Sequence, residues 1–257
     1  MSQTVRLTEI LDLVRKDGRV TVEALAGHFG VTLQTIRRDL SELAEAGKLD
    51  RVHGGATLPS NTTNIGYEER RLLNSDAKAR MARACGRLIP NDISLFLNIG
   101  TSTEAVAREL IHHTGLMVVT NNMNVANILV ANEACRIIVT GGDLRRADGG
   151  LIGPIAESSI EQFKFDLAVI SCSALDEDGD ILDFDLDEVS VSRAIIRKSR
   201  KVVLVADHMK FTRSAPAKIA SIADVDVFVT DRPLSAALRQ ACQDWSTDVV
   251  TVEAPAD

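Results

Sequence analysis

The larger part of the chain alternates short apolar runs with helical patterns, and this alternation constrains the fold more than any other feature. Six runs of four to six residues are rich in Val, Ile and Leu, at 93–98, 117–120, 136–140, 167–171, 201–206 and 225–230. Segments with helical spacing of apolar residues lie between and after them, over 103–112, 122–132, 156–163, 186–198 and 233–243. Strands that alternate with helices form a parallel sheet with helices on its faces. The sequence therefore predicts an α/β domain with a mostly parallel sheet.

A polar segment separates this domain from a smaller N-terminal unit. Residues 58–66 combine Leu, Pro, Ser, Asn, Thr, Ile and Gly, a mixture dominated by residues typical of loops. We place the N-terminal domain at 1–57, the linker at 58–74 and the α/β domain at 75–257. The α/β domain is expected to begin with a helix capped by Ser75.

The N-terminal unit has the pattern of three helices followed by a β-hairpin. Capping residues mark the ends of the second and third helices: Thr21, Gly30, Thr32 and Gly47. The pair Gly54-Gly55 predicts the turn of a hairpin over 48–58. Two helices joined by a tight turn and followed by a small β wing are typical of a winged helix-turn-helix.

The third helix has a polar face that suits DNA. Its buried stripe is expected to be Ile36, Leu40, Leu43 and Ala44. The opposite face carries side chains that pair with base edges and phosphates, namely Gln34, Thr35, Arg37, Arg38 and Ser41. With Thr32 at the helix start, and with Arg51 and His53 on the hairpin, these residues predict a site for a double-stranded DNA operator. The alternative is that this face is an ordinary solvated surface. Net charge does not distinguish the two interpretations, because residues 1–57 hold eight basic and eight acidic side chains.

Three loops follow predicted strands of the α/β domain, at 98–104, 140–146 and 206–211, and the first two contain glycine. Ligands bind at the carboxyl ends of parallel strands, and free N–H groups at a helix start hold anions. Lys210 supplies a counter-charge for phosphate. Arg145 and Arg146 are further candidates, with solvent or a subunit interface as the alternative. The predicted ligand-binding residues are Gly100, Thr101, Ser102, Thr103, Glu104, Asn121, Gly141, Gly142 and Lys210; a plain N-cap turn is the alternative for the first loop.

The chain lacks the sequence motifs of common enzymes. Gly-x-Ser-x-Gly, the phosphate-loop motif, His-Glu-x-x-His and Gly-x-Gly-x-x-Gly are all missing, so we expect no catalytic residues and no cofactor. The acidic stretch 176–188 holds eight carboxylates, which could serve acid–base work or a metal. We expect a solvated loop there, with Asp178-Gly179 as a turn, and no metal site.

Four dispersed cysteines predict free thiols. Without an apolar span or a leader pattern, we expect a cytoplasmic protein with no membrane contact.

The order of the motifs resembles the DeoR family of bacterial regulators from about residue 5 to about residue 250. Four segments carry the resemblance: Thr-Ile-Arg-Arg-Asp-Leu at 35–40, His-Gly-Gly-Ala at 53–56, Gly-Thr-Ser-Thr at 100–103 and Asp-His-Met-Lys-Phe at 207–211. The resemblance implies a transcriptional repressor that acts as a homo-oligomer, a dimer or a tetramer. It also implies a sensor domain related to sugar-phosphate isomerases, which binds a phosphorylated small-molecule effector without transforming it.

Within the family, segments 119–127, 148–153 and 183–185 favour regulators that respond to glycerol-3-phosphate. Asn98 and Met209 stand where the family usually has Asp and Ser. Two other functions stay open: regulation of another sugar-phosphate pathway, and a sugar-phosphate isomerase. The second is disfavoured because residues 181–192, which correspond to the catalytic stretch of the isomerases, contain no Lys. Activation instead of repression would depend on where the operator lies.

Overall fold

The computed structural model describes residues 3–17, 19–52, 54–57 and 65–252, except for the side chains of 15–17. The N-terminal unit has three helices: α1 (Gln3–Asp17), α2 (Val22–Phe29) and α3 (Leu33–Glu45). Its antiparallel sheet has the order β1-β3-β2, formed by β1 (Arg19–Thr21), β2 (Asp50–Val52) and β3 (Gly55–Thr57). The predicted winged helix-turn-helix is thus confirmed, and β1 adds a third strand to the wing that the sequence did not predict.

Local capping explains why α2 and α3 begin where they do. The Thr21 hydroxyl accepts a hydrogen bond from the Ala24 N–H, and the Thr32 hydroxyl accepts one from the Thr35 N–H. Gly30 ends α2 in the left-handed conformation, with φ at +62°. These three predictions are confirmed.

Of the two glycines predicted to form the hairpin turn, Gly55 belongs to a strand instead. It is the first residue of β3 and pairs with Val52 on one side and Thr21 on the other. Strand β1 passes so close to Gly55 that a Cβ atom there would lie 1.9 Å from the Val20 carbonyl oxygen. The glycine is therefore needed for the wing to pack on β1.

The larger unit is built on a seven-stranded sheet in which every pairing is parallel. In sheet order the strands are β15 (Asp248–Thr251), β14 (Val227–Thr230), β12 (Val202–Val205), β9 (Leu167–Ile170), β4 (Ser94–Leu97), β5 (Met117–Thr120) and β6 (Arg136–Val139). This confirms the predicted α/β domain and its mostly parallel sheet. The edge strand β15 was not predicted, since it has only two apolar residues.

Helices cover both faces of this sheet. They are α4 (Tyr67–Leu72), α5 (Ser75–Leu88), α6 (Thr101–Glu109), α7 (Met123–Leu129), α8 (Pro154–Glu161), α9 (Leu186–Lys198) and α10 (Ala236–Asp244). Alternate strand residues enter two separate cores, as in β4, where Phe96 faces α8 and α9 while Leu95 and Leu97 face α5 and α6. Within the described residues, no helix is both long and apolar enough to cross a bilayer.

The start of the larger unit differs from the expectation. Ser75 is the first residue of α5 and not its cap; the cap position is Asn74, whose φ of +53° is left-handed and whose side chain makes no capping hydrogen bond. Helix α4 lies within the stretch predicted as linker, and it packs against α6. The exact domain boundaries stay a prediction.

Two small antiparallel sheets stand beside the main one. A hairpin joins β7 (Asp143–Arg145) to β8 (Gly150–Ile152), and a second sheet contains β10 (Ala174–Leu175), β11 (Asp180–Asp183) and β13 (Ala217–Ser221). The acidic stretch is therefore not a solvated loop, because it forms β11 and the start of α9 and buries Asp183. The predicted turn at Asp178-Gly179 is confirmed, with Gly179 at a φ of +87°.

Candidate functional site

Helix α3 presents the polar surface that the sequence predicted. Gln34, Arg37 and Arg38 are exposed, whereas Ile36 and Leu40 are fully buried on the opposite side. A broad, shallow depression runs along this surface. The predicted residues that line it are Thr32, Gln34, Thr35, Arg37, Arg38 and Ser41. Six of the eight predicted DNA-binding residues are thus contiguous, and His53 lies outside the described residues.

Arg51 connects the wing to this helix. Its guanidinium Nη1 donates to the Arg37 carbonyl oxygen and to the Ser41 hydroxyl, both at 3.0 Å. Arg51 therefore holds β2 against α3 and places a positive charge beside the polar surface.

A buried ion pair connects α3 to α1. Asp39 accepts hydrogen bonds from Arg6 of α1, with 2.6 Å between Nε and Oδ2 and 3.2 Å between Nη2 and Oδ1. This pair was not predicted from the sequence, because a charged residue within the helix was not expected on the buried side.

The second site is a narrow cleft in the larger unit, near the carboxyl ends of β4, β9 and β12. Four predicted residues line it, namely Gly100, Thr101, Ser102 and Lys210. The loop at 99–102 leads into α6, whose first N–H groups have no side-chain cap. Lys210 lies on a short 3₁₀ turn (His208–Thr212) after β12.

The other five predicted residues do not line the cleft. Thr103 donates to the carbonyl oxygens of Asn98 and Gly100, at 2.6 and 2.7 Å, and so shapes the loop. Glu104 accepts from the Tyr67 hydroxyl at 2.9 Å. The remaining three surround the neighbouring β6 and β8: Asn121 donates to the Leu151 carbonyl, and Gly141 and Gly142 adopt positive φ after β6.

Arg145, for which the sequence left solvent or a subunit interface as alternatives, lines the cleft. Arg145 donates to Asp148 at 2.8 and 2.9 Å, to Asp185 at 2.8 Å and to Glu188 at 2.6 Å. Asp148 is also bonded to Arg70 of α4, at 3.1 Å. These residues were not predicted as a group because they come from three separate segments of the chain, at 70, 145–148 and 185–188.

Several cations lie close together around the cleft. Lys210 is buried, and burial together with Arg213 lowers its pKa. Burial and the nearby Lys210 lower the pKa of Lys78 to about 8. Ammonium groups whose charge is disfavoured in this way are stabilised by a bound anion. The cluster therefore suits a phosphate group.

Two carboxylates, Asp183 and Glu188, also line the cleft. Burial, and to a smaller extent Asp183, raises the pKa of Glu188 to about 7, although Arg145 opposes this shift. Burial also raises the pKa of Asp183. Carboxylates accept hydrogen bonds from hydroxyl groups. The cleft thus combines donors for an anion with acceptors for hydroxyls, as a small phosphorylated polyol requires.

Comparison with known proteins finds two family models along the chain. One is described as a DeoR-like helix-turn-helix domain and matches residues 6–62; the other is described as a DeoR C terminal sensor domain and matches residues 73–232.

Similar curated proteins include repressors from several bacteria. The glycerol-3-phosphate regulon repressor of Escherichia coli K12 is 46% identical over 244 residues, which cover 95% of this chain and 97% of that one. The glycerol-3-phosphate regulon repressor of Haemophilus influenzae is 45% identical, covering 90% of each chain. Among solved structures, ribose 5-phosphate isomerase A from Methanocaldococcus jannaschii is similar over 54% of this chain and 55% of that one, with a TM-score of 0.40 and 12% identity.

Proposed function

The chain belongs to the DeoR family, and from this premise we propose that it is a transcriptional repressor that glycerol-3-phosphate releases from its operator. Two features of the molecule support the proposal. The exposed surface of α3 suits a DNA groove, and the cleft of the sensor domain suits a phosphate. The second feature carries the choice of effector class, because Lys210, Arg145 and the loop at 99–102 converge on one small space.

The proposed DNA contacts follow from the geometry of α3. Gln34 and Arg38 point outward from the first two turns, the part of a recognition helix that meets base edges in the major groove. Thr32, Thr35, Arg37 and Ser41 flank them and would bind phosphates. Arg51 and His53 on the wing would add backbone contacts, which position the helix but do not read sequence.

A homo-oligomer follows from the same geometry. Each chain offers one α3, and helix-turn-helix proteins bind paired half-sites through a two-fold dimer. We therefore propose a dimer, or a tetramer made of two dimers, acting on operator DNA in the cytoplasm.

The effector would bind with its phosphate at Gly100, Thr101, Ser102 and Lys210. Thr103, Glu104, Asn121, Gly141 and Gly142 would support the walls of this site. The hydroxyl groups of the ligand would face Asp183 and Glu188. The relatives named for the glycerol-3-phosphate regulon make glycerol-3-phosphate the first candidate, and another small sugar phosphate is the alternative.

One observation favours a second function, a sugar-phosphate isomerase. Lys210 lines the same cleft as Asp183 and Glu188, so a lysine from another loop would take the place of the missing Lys in 181–192. The Glu188 carboxylate, however, is held by Arg145 at 2.6 Å, which restricts it as a base. Turnover of pentose phosphates by the full chain would establish that it is an enzyme. Tight binding of these compounds without turnover would instead support a sensor domain.

The test of the main proposal compares glycerol-3-phosphate with glycerol. An operator duplex is first selected from random DNA by the full chain, and its affinity is then measured by fluorescence anisotropy. We expect glycerol-3-phosphate to weaken operator binding and glycerol to have no effect, since only the phosphate engages the cations. Equal effects of the two compounds would contradict the anion site. If only a larger sugar phosphate released the protein from its operator, the proposal of a repressor would hold, but its effector would be that sugar phosphate.

A further inference from the structure

Helix α4 is the first described helix after the polar segment 58–66, and it contributes a side chain to the effector cleft. Arg70 lines the cleft together with Arg145 and Lys210, although it lies within the stretch predicted as linker. The other lining residues begin at Ile99. Arg70 is therefore the lining residue closest in sequence to the DNA-binding unit.

Several contacts hold α4 against the sensor domain. The Tyr67 hydroxyl donates to Glu104 at 2.9 Å and accepts from the Asn124 amide at 3.1 Å. At the other end of the helix, the Lys78 ammonium donates to the carbonyl oxygens of Arg70 and Leu73. A cation at this end stabilises the helix because it meets the free carbonyl groups.

Among the described residues, Asp148 is the one carboxylate that pairs with the Arg70 guanidinium, and Arg70 shares it with Arg145. The Arg70 Nη1 atom also donates to the Ile65 carbonyl oxygen at 2.7 Å. The Arg70 Nη2 atom binds Asp148 Oδ2 at 3.1 Å, while Arg145 binds the same oxygen at 2.8 Å. Arg145 also binds Asp148 Oδ1 at 2.9 Å. Asp148 therefore keeps a bidentate partner if Arg70 leaves. Of the two arginines, Arg70 has the weaker hold on the carboxylate.

A phosphate at Gly100–Ser102 would compete for Arg70. The Thr101 hydroxyl of this loop already lies 3.5 Å from the Arg70 carbonyl oxygen, so the loop and α4 are neighbours. A phosphate dianion carries more charge than Asp148, which is already neutralised by Arg145. Arginine binds phosphate through two parallel N–H donors, which strengthens the exchange.

We propose that Arg70 is a ligand of the effector phosphate, and that its transfer from Asp148 to the phosphate shifts α4 and the linker that precedes it. This inference rests on the proposed function. A ligand changes an equilibrium only by its different affinity for two states. Here the two states are α4 with Arg70 on Asp148 and α4 with Arg70 on phosphate, and the effector binds the second more tightly.

The test compares Arg70→Ala with Arg71→Ala in the full chain. Arg71 is the next residue of α4, and its pair with Glu68 is exposed, with 52% and 70% of the two side chains accessible. For each variant, calorimetry gives the affinity for glycerol-3-phosphate, and anisotropy gives the operator Kd without effector and at saturating effector. The ratio of the two operator Kd values is the coupling factor, which is about 5 to 150 for typical allosteric proteins.

We expect Arg71→Ala to keep the coupling factor of the wild type. Arg70→Ala should bind the effector more weakly and, once saturated, should show a coupling factor near one. A coupling factor equal to that of the wild type would overturn the inference. A wild-type protein whose operator binding ignores glycerol-3-phosphate would instead contradict the proposed function.

A second variant separates transmission from binding and from misfolding. Tyr67 does not line the cleft, so Tyr67→Phe should leave effector affinity unchanged while it loosens α4 and lowers the coupling factor. If Arg70→Ala fails to fold by circular dichroism, Arg70→Lys and Tyr67→Phe decide the question. Full coupling in both of them would also overturn the inference.

Discussion

Asp39 lies on the buried side of α3, where its carboxylate is held by the Arg6 guanidinium of α1. Only 10% of the Arg6 side chain and 1% of the Asp39 side chain are accessible to solvent. The pair thus orients the helix whose outer face carries Arg38.

Asp39→Ala should lower the free energy of unfolding by about 3–5 kcal/mol, because it leaves the Arg6 charge buried without a partner. Urea unfolding of the full chain measures the change. Glu9→Ala is the control, since the Glu9–His28 pair is exposed and worth about 0–1 kcal/mol. Equal effects of the two substitutions would mean that the buried pair does not stabilise the domain.

Arg38→Ala should abolish specific operator binding without unfolding the protein, because the side chain is exposed and faces away from the core. One base contact is worth about 1–3 kcal/mol, and a dimer loses it twice. Anisotropy titrations of operator DNA measure the loss, while calorimetry should show normal effector binding. Arg239→Ala, an exposed arginine on α10, is the control. Wild-type operator affinity in the Arg38 variant would refute the recognition surface.

Gly55→Ala should destabilise the wing, because the new Cβ would lie 1.9 Å from the Val20 carbonyl oxygen. Overpacking of this kind costs about 1–3 kcal/mol. The control is Gly27→Ala on α2, where no atom lies within 4 Å, and which should gain about 0.5–1 kcal/mol from helix propensity. Chemical denaturation of both variants measures these two changes in stability. A Gly55 variant as stable as the wild type would show that β1 and β3 pack less tightly than the structure indicates.

Lys210→Ala should give a repressor that needs more effector for release. Loss of a shielded charge-assisted bond costs about 1.5–3 kcal/mol, which is a rise of roughly 10- to 150-fold in the effector required. Operator affinity without effector should not change. Lys218→Ala, an exposed lysine paired with Asp180, is the control. An unchanged release midpoint in the Lys210 variant would remove this residue from the site.

Effector binding should take up protons at mildly alkaline pH. Burial and Lys210 lower the pKa of Lys78 to about 8, and Arg213 and Arg70 act in the same direction while Asp207 opposes them. A bound phosphate raises this pKa again. Below pH 8, Lys78 is charged with or without effector, so the protein binds effector with its full affinity. As the pH rises above 8, Lys78 of the free protein loses its proton, and the affinity for effector falls.

Calorimetry in two buffers of different ionisation enthalpy, at about pH 8.5, measures this proton uptake. Lys78→Arg is the control, because the guanidinium stays charged throughout this range and uptake should fall. Identical apparent enthalpies in both buffers for the wild-type protein would exclude the linkage.

The recognition helix could be predicted from the sequence because its determinants are local. Thr32 caps α3, Gly47 follows its end, and Ile36 and Leu40 fix which face is buried. Asp39 escaped prediction because its partner is 33 residues away in the chain. A carboxylate within the helix is compatible with either face until the partner is known.

The effector cleft could be predicted only in part, for the same reason. The loop at 99–102 and Lys210 follow predicted strands, so the order of strands and loops located them. Arg70 and Arg145 depend on partners 78 and 40–43 residues away. Helix α4 has only six residues and buries none of them, and such a helix leaves no periodic apolar pattern in the sequence.

Helix α4 also sets where this protein can be recombined. A gene fusion that exchanged the DNA-binding unit upstream of Tyr67 would keep every contact between α4, Glu104 and Asp148, and the new reader would inherit the original sensor. A crossover placed downstream of Leu72 would import a foreign α4 and separate Asp148 from its second arginine. Chimeric regulators built on this sensor domain should therefore keep its own α4, and different DNA-binding units should be joined to the chain upstream of that helix.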